Sequence, residues 1–252
     1  MRRGYVAAGR KGWRKIGRCR MRRRMLSGPI ALATSRLLAC FRGYLRCSMT
    51  DRAFWDIIGK AVGSGFESEH ADRLEAVLLR MKPSRIVAFA VAYESKLRAA
   101  EKGPVWAAGV LLNGGHGSDD GFLYFRHWLI GQGEAVYTAA LSNPDFLADR
   151  EIEFEDGVPS TEWELFGAVA EDVYRAKTGR DLHTAIDELK SETRSTESRD
   201  WHWTEYTEAF MRESLPNLWS RYGHHKAAFD ARVEALLSAE SGIDDPNDME
   251  HP

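Results

Sequence analysis

Cysteine is confined to the first 47 residues of this 252-residue chain, at Cys19, Cys40 and Cys47. The rest of the chain therefore has no disulfide, no cysteine-ligated zinc and no thiol nucleophile. A segment of this length without cysteine must be held together by its apolar core, which is the usual solution in cytosolic proteins. The sequence also lacks an apolar run of the roughly 18 residues that a membrane-spanning helix needs. We therefore expect a cytoplasmic protein with no membrane partner.

Acidic residues are missing from residues 1–48, which hold fourteen arginines and lysines. The remaining 21 basic residues stand against 37 acidic ones, so that the body of the chain has a net formal charge of −16. A body with this charge repels nucleic acid and anionic membranes, and we predict no nucleic-acid partner for it. An acidic surface favours a basic partner.

The basic leader, residues 1–48, has three interpretations. It is rich in arginine and lacks acidic residues, as transit peptides do. Alternatively, Arg22–Leu26 followed by Leu37–Cys40 resembles a twin-arginine lipoprotein signal, although Arg36 interrupts the apolar stretch that such a signal needs. We favour the third interpretation, in which the leader is translated upstream sequence and the native start is Met49, because charge and cysteine usage both change there.

Strand-like alternation is scarce, and residues 151–155 are the only short candidate. Apolar residues instead recur at helical spacing along most of the body. Thr50 and the pair Thr161 and Glu164, a capping box, are expected to begin two of the helices. Helices are predicted near 50–62, 68–80, 83–97, 105–112, 118–130, 134–141, 161–178, 204–212, 216–222 and 227–237, the last amphipathic through Phe229, Val233, Leu236 and Leu237. The predicted class is all-α: a compact multi-helix single domain with a disordered or non-native basic N-terminal leader.

Composition divides the body further. We expect a helical core domain over residues 49–180, and C-terminal helices over 204–240 that pack on it. Residues 181–203 are predicted to form a flexible linker, because much of this stretch is polar with little to bury. The acidic residues 241–252 are expected to form a disordered tail.

A glycine-rich loop followed by a helix start occupies the centre of the sequence. Three glycines lie within residues 113–117, a composition that opposes both helix and strand. Ser118 is expected to cap the next helix, with Asp119 and Asp120 in its first turn, where carboxylates interact favourably with the helix dipole. Four apolar residues form the predicted core face of this helix: Phe122, Phe125, Trp128 and Leu129.

Three segments together carry a family resemblance. They are Arg52–Ile58, the central run of Gly114-Gly115, Ser118–Phe122, Tyr124–Arg126, Trp128–Ile130 and Gly133, and the stretch Leu215–Tyr222. Over residues 50–222 the chain resembles the bacterial family catalogued as domain of unknown function 4240, and the central run resembles its signature. Members often have cysteine where this chain has Gly117, so a thiol role is absent here. The resemblance implies no assigned reaction, substrate or cofactor, and the domains found beside relatives favour a regulatory role.

Asp119 and Asp120 are adjacent carboxylates, which suggests acid–base or metal chemistry. Neighbouring helical residues point about 100° apart, however, so these two do not form a facing pair in a regular helix. We expect Asp120 to face water and Asp119 to pair with Arg126. The alternative is a site in which the glycine loop, the helix start and Arg126 hold an anion or polar ligand. His116 adds only one more metal ligand, and we predict no metal and no cofactor.

The remaining histidines are assigned to the surface or to local packing. His127 is expected on the polar side of its helix, and the adjacent residues His224 and His225 should diverge in water. His202 lies between Trp201 and Trp203, a cluster that suggests a docking patch or local packing.

Two functional hypotheses follow. The first is a cytoplasmic interaction or regulatory module that binds a protein partner or small ligand, and one version is an immunity-type protein that neutralises a basic toxin. Its candidate binding residues are Asn113, His116, Ser118, Asp119, Asp120, Arg126, Trp201 and Trp203. The second is an enzyme acting on a small anionic substrate, with Arg126 holding the anion and Asp119 or His116 as base. We favour the first hypothesis and assign no catalytic residue under it.

Overall fold

The computed structural model describes residues 48–63, 65–190 and 201–241. Nearly all of the predicted basic leader, residues 191–200 of the predicted linker and the predicted tail after Ser241 lie outside the described residues.

The described chain confirms the all-α class. Its helices are α1 Asp51–Ala61, α2 Glu67–Leu79, α3 Pro83–Ala99, α4 Gly103–Leu112, α5 Asp119–Gly131, α6 Glu134–Ser142, α7 Glu164–Thr178, α8 Leu182–Lys190, α9 Glu208–Ser214 and α10 Pro216–Ser241. Two 3₁₀ segments, Pro144–Asp149 and Trp203–Glu205, and one small hairpin, β1 Glu153–Glu155 with β2 Val158–Ser160, complete the described elements.

The core forms where the apolar faces of the helices meet. Thr50 caps α1 as predicted, accepting a hydrogen bond from the Ala53 amide, and α1 buries Phe54 and Ile58 completely. Helix α4 is apolar on all sides and lies at the centre, which is the usual position of such a helix. Helix α7 packs on α2, α3 and α5, while α10 packs on α4 and on the 3₁₀ segment Pro144–Asp149. Each fully buried large apolar side chain contributes about 1.5–3 kcal/mol.

The strand predicted within residues 151–155 forms over Glu153–Glu155 as β1, and it pairs with β2 to make a hairpin. Phe154 of β1 lies opposite Pro159 of β2 in an antiparallel register. Asp156 and Gly157 form the turn with positive φ angles of 51° and 81°, the combination that a tight two-residue hairpin needs. Only Pro159 of the six strand residues is buried, so the hairpin lies on the surface of a helical core.

The structure corrects the prediction of a linker over residues 181–203 in two places. Residues 182–190 form helix α8, which buries Leu182, Ala185 and Ile186. Helix α8 packs on α3 and α7. Leu182 lies three residues before Ala185 and four before Ile186, which is helical spacing. The charged residues around them made this pattern hard to recognise in the sequence. Trp201 is also buried, as described below.

Two further helix predictions are corrected. The helix expected over 204–212 begins only at Glu208, where Thr207 caps α9 by accepting a hydrogen bond from the Phe210 amide. The two helices expected over 216–222 and 227–237 are one continuous helix, α10. Gly223 does not end it, because the indole of Trp219 packs where a Cβ of residue 223 would be, 2.7 Å away. Packing of this glycine inside α10 offsets its poor helix propensity.

Candidate functional site

The glycine loop connects α4 to α5 and owes its shape to two left-handed glycines. Gly114 and Gly115 have φ angles of +64° and +92°, and the Gly115 amide donates to the Val110 carbonyl at 2.8 Å. A Cβ on Gly115 would lie 2.5 Å from the Lys226 Cα, so the backbone of α10 passes directly over the loop. The glycines therefore serve close packing between the loop and α10.

Asn113, one of the candidate binding residues, holds the loop to the hairpin. Its Oδ1 accepts hydrogen bonds from the Thr161 amide at 2.8 Å and from the Thr161 hydroxyl at 2.5 Å. Thr161 is fully buried. The predicted capping box of Thr161 and Glu164 is therefore wrong. The Thr161 side chain bonds to the loop, and α7 begins only at Glu164, directly after Trp163.

Ser118 caps α5 as predicted, with its hydroxyl accepting a hydrogen bond from the Gly121 amide at 2.9 Å. Asp119 and Asp120 are both exposed in the first turn. Asp120 faces water, as expected. His116 is exposed and its ring lies edge-on to that of Phe229 in α10, with 5.6 Å between centroids.

Several carboxylates lie close to Tyr124, which follows the first turn of α5. The pKa of Tyr124 is raised by its hydrogen bond to Glu164 and then by partial burial and the charges of Glu164, Asp120 and Glu162. Burial raises the pKa of Glu67, which accepts a hydrogen bond from the Phe166 amide at 3.0 Å, and nearby Glu164 raises it further. The loop, the start of α5 and the start of α7 therefore present an acidic surface.

The Arg126 side chain is buried, so it does not act as an exposed anion holder. Its guanidinium donates to the Leu97 carbonyl at 3.1 Å, lies 3.4 Å from the Glu101 carboxylate and stacks on the Phe122 ring. The described acidic partner of Arg126 is Glu101, and the expected pairing of Arg126 with Asp119 stays a prediction. Arg126 joins α5 to the end of α3, a structural task for a buried cation.

The two candidate tryptophans differ. Trp201 is buried and its indole nitrogen donates to the Glu101 carbonyl at 3.1 Å, while its ring packs among those of Trp106, Phe122 and Tyr206. It is thus an internal anchor and not an exposed one. Trp203 is 55% exposed and remains a candidate contact residue.

His127 is buried, against the expectation of a surface position. Its Nδ1 shares a 2.8 Å hydrogen bond with the Tyr93 hydroxyl, and a Cβ on Gly167 would lie 2.4 Å from its Nε2. Burial, and then the neighbouring charge of Arg126, lower the pKa of His127 to about 4. The imidazole is therefore neutral at physiological pH and acts as a hydrogen-bonding core residue.

His224 and His225 do not diverge as expected. Their ring centroids are 4.0 Å apart on α10, and the His225 ring also lies 6.2 Å from that of Phe154 on the hairpin. Burial and the neighbouring His224 lower the pKa of His225. His224 is exposed, whereas His225 is half-buried beside Phe154 of the hairpin.

The most distinctive surface of the described chain lies on α10, one of the C-terminal helices that the sequence predicts to pack on the core domain. Along α10, residues Leu218, Tyr222, Phe229, Val233 and Leu236 follow one another at spacings of three, four or seven positions and so lie on one face. Leu218 and Tyr222 are 0% and 2% exposed, Phe229 is half-buried, and Val233 and Leu236 are 38% and 67% exposed. The apolar face thus continues beyond the body that buries its first half.

We call the exposed part of this face, Phe229, Val233, Leu236 and Leu237, the α10 stripe. Leu237 is 62% exposed, and Phe154 on the adjacent hairpin is also exposed. A shallow, open groove of about 390 Å³ lies along the edge of the stripe, and all of its lining residues belong to α10: Asp230, Val233, Glu234, Leu237 and Ser238. The sequence reveals the amphipathic pattern of this segment, whereas only the structure shows that the described part of the body leaves the stripe exposed.

The described residues contain neither a cluster of metal ligands nor a helix that could span a membrane. Within residues 48–63, 65–190 and 201–241, no three histidines, cysteines or carboxylates lie together as metal ligands would. None of the helices in that part of the chain combines the length and apolarity needed to cross a bilayer.

Comparison with known proteins adds a family and no activity. No curated protein and no solved structure matches the chain. The family model described as protein of unknown function (DUF4240) matches residues 49–176, half of the chain. The match runs from α1 through most of α7, and it includes the glycine loop and the Ser118 cap, while the resemblance at residues 215–222 lies beyond it. The chain belongs to this family of unknown function.

Proposed function

We propose that this domain is a cytoplasmic protein-interaction module that binds a protein partner through the α10 stripe and the adjacent hairpin. The observation that carries the proposal is the continuation of one apolar helix face from the core into solvent. Exposed contiguous apolar surface is unfavourable in water, and in stable proteins it marks interaction sites.

The glycine loop serves this function as a platform. Asn113 joins the loop to the hairpin, and Gly115 lets the backbone of α10 approach. His116 contacts Phe229 at the base of the stripe. The loop therefore supports α10 where it leaves the body. His116 contacts the proposed surface, and Ser118, Asp119 and Asp120, which follow it in the sequence, are retained as candidate contacts.

The alternative, an enzyme acting on a small anionic substrate, required Arg126 to hold the anion beside a base, either Asp119 or His116. The described contacts of the Arg126 guanidinium are with Leu97, Glu101 and Phe122. Those of His116 are with α10. A buried, already paired cation and carboxylates in the first turn of α5 both disfavour anion binding there, and we therefore retain the interaction function.

Site-specific photo-crosslinking tests this proposal. A photo-reactive phenylalanine analogue replaces Leu236 on the stripe in the full chain, expressed in the cells from which the sequence derives. The matched control places the same analogue at Ala231, which is exposed on the opposite side of the same helix. We expect discrete protein adducts from position 236 and few or none from position 231.

The adducts from position 236 must also depend on the stripe. Introducing Val233→Ser together with Leu237→Ser should remove them while the circular dichroism spectrum is retained. Adducts that form equally from positions 231 and 236, or that persist in the double variant, would contradict the proposed function.

A further inference from the structure

The chemistry of the groove beside the α10 stripe points to one class of partner. Its lining combines the apolar Val233 and Leu237 with the carboxylates of Asp230 and Glu234. Asp230 binds Lys226 at 2.6 Å, whereas Glu234 has no ionic partner among the described residues. We infer that the partner segment is a basic amphipathic helix that packs along α10 and places its cations against Asp230 and Glu234. This inference rests on the proposed function.

Charge complementarity beyond the groove supports a basic segment. The hairpin next to the stripe exposes Glu153, Glu155 and Asp156. Arg232, the cation on the exposed half of α10, lies on the other side of the stripe, so the acidic flank and the basic flank are separated by the apolar residues. With a net charge of −16 after residue 48, the body attracts a cationic partner and repels a second copy of itself.

The shape of the surface favours a helix over an extended peptide. Residues 229–238 cover about 15 Å at 1.5 Å per residue, nearly three turns of α-helix. Their apolar spacing of three and four residues is the pattern into which the ridges of a second helix fit. Strand addition would need a long unpaired edge, and each strand of the hairpin has only three residues.

Matched synthetic peptides test the inference on the full chain. One fluorescein-labelled 14-residue helix carries leucines on one face and lysines on the other, and its counterpart has glutamate in place of lysine. A third peptide has the lysine composition in scrambled order. We expect the lysine helix to bind at least tenfold more tightly than either of the other two, as measured by fluorescence anisotropy, and to bind less tightly as salt concentration rises.

Substitutions in the chain locate the binding. Glu234→Gln should weaken binding of the lysine helix about two- to fivefold, since exposed ion pairs contribute modestly. Leu236→Ser should weaken it at least tenfold, since buried apolar anchors dominate helix docking. Glu213→Gln, which removes an exposed carboxylate from α9, is the control and should leave the affinity unchanged.

The outcomes separate the partner class from the function itself. Crosslinks from position 236 together with equal binding of the lysine and glutamate helices, or with no effect of Glu234→Gln, would overturn the basic partner and leave the proposed function standing. A dimer that Leu236→Ser dissociates, or stripe-dependent binding to phosphatidylcholine vesicles without peptide binding, would also overturn it. Loss of the crosslinks themselves would remove both.

Discussion

Arg126 and His127 are adjacent polar residues, and both are buried. Their positions follow from partners on α3: the Leu97 carbonyl accepts from Arg126, and the Tyr93 hydroxyl bonds to His127. Helical periodicity assigned His127 to the surface because a polar side chain without a partner is costly to bury. The partners lie some thirty residues earlier in the chain, and only the packing of α3 on α5 brings them close.

The buried His127 predicts an acid-sensitive fold. Its pKa is about 4 in the folded protein and 6.5 when unfolded, so the unfolded state binds more protons between these values. The unfolding free energy is therefore fully present above pH 6.5 and falls as the pH drops to 4, by about 3 kcal/mol for this residue. Urea unfolding between pH 4.5 and 7.5 measures the fall.

Substitutions assign that pH dependence. His127→Gln should flatten the curve, although the variant is less stable at neutral pH because it repacks against Gly167. His183→Gln, which changes a histidine exposed on α8, serves as control and should keep the wild-type slope. His70, whose pKa is lowered by burial and by Arg73, adds to the fall in the same direction. An unchanged slope in His127→Gln would contradict the assignment.

At the scale of elements, α10 is held to the body by hydrogen bonds at its start, whereas its residues 231–238 are exposed. The carboxylate of Asp145, buried in the 3₁₀ segment, accepts hydrogen bonds from the Asn217 amide at 3.2 Å, the Leu218 amide at 2.9 Å and the Asn217 side chain at 2.7 Å. A carboxylate here satisfies amides that have no partner within the helix and interacts favourably with its dipole. The resemblance at residues 215–222 thus coincides with this anchored helix start.

We predict that Asp145→Ala lowers the unfolding free energy by about 2–4 kcal/mol, because it leaves buried amides of α10 unsatisfied. Chemical denaturation gives the value. Asp149→Ala, an exposed acid of the same 3₁₀ segment, should cost less than about 0.5 kcal/mol. Equal effects of the two substitutions would show that α10 does not depend on this anchor.

Gly115 and Gly133 form a matched pair for the contact between the loop and α10. Both have positive φ angles, +92° and +85°, but a Cβ at Gly133 meets nothing within 4 Å. Gly133→Ala should therefore cost only the backbone strain, about 1–3 kcal/mol, because its φ of 85° and ψ of 171° lie in a region that favours glycine. Gly115→Ala should cost at least about 1–2 kcal/mol more, since Lys226 must move. Equal losses in urea unfolding would refute close packing at the loop.

On the scale of the whole molecule, the helices differ in how much of the body supports them. Helix α4 is buried except at the half-exposed Pro104 and Trp106, whereas every residue from Ala231 to Ser238 of α10 is exposed. Isolated helical turns are marginally stable in water, so stability should decline along α10.

Hydrogen exchange followed by mass spectrometry checks that gradient. Amides of residues 231–238 should exchange at least a hundredfold faster than those of residues 218–226 and of α4. Binding of the lysine helix proposed above should slow exchange in 231–238 and leave α4 unchanged. Uniform protection along α10 without a bound partner would contradict a helix that leaves the body.

The sequence alone determined the all-α class, most helix positions, the Thr50 and Ser118 caps and the family, because these depend on local spacing and on side chains that bond to neighbouring amides. Tertiary structure decided the rest. It paired Asn113 with Thr161 and Arg126 with Glu101, and it buried Trp201, since these contacts join residues 25 to 100 positions apart. It also decided that the apolar face of α10 extends beyond the core into solvent. An amphipathic pattern specifies which side of a helix avoids water, whereas the extent of the surrounding body decides how much of that side is covered.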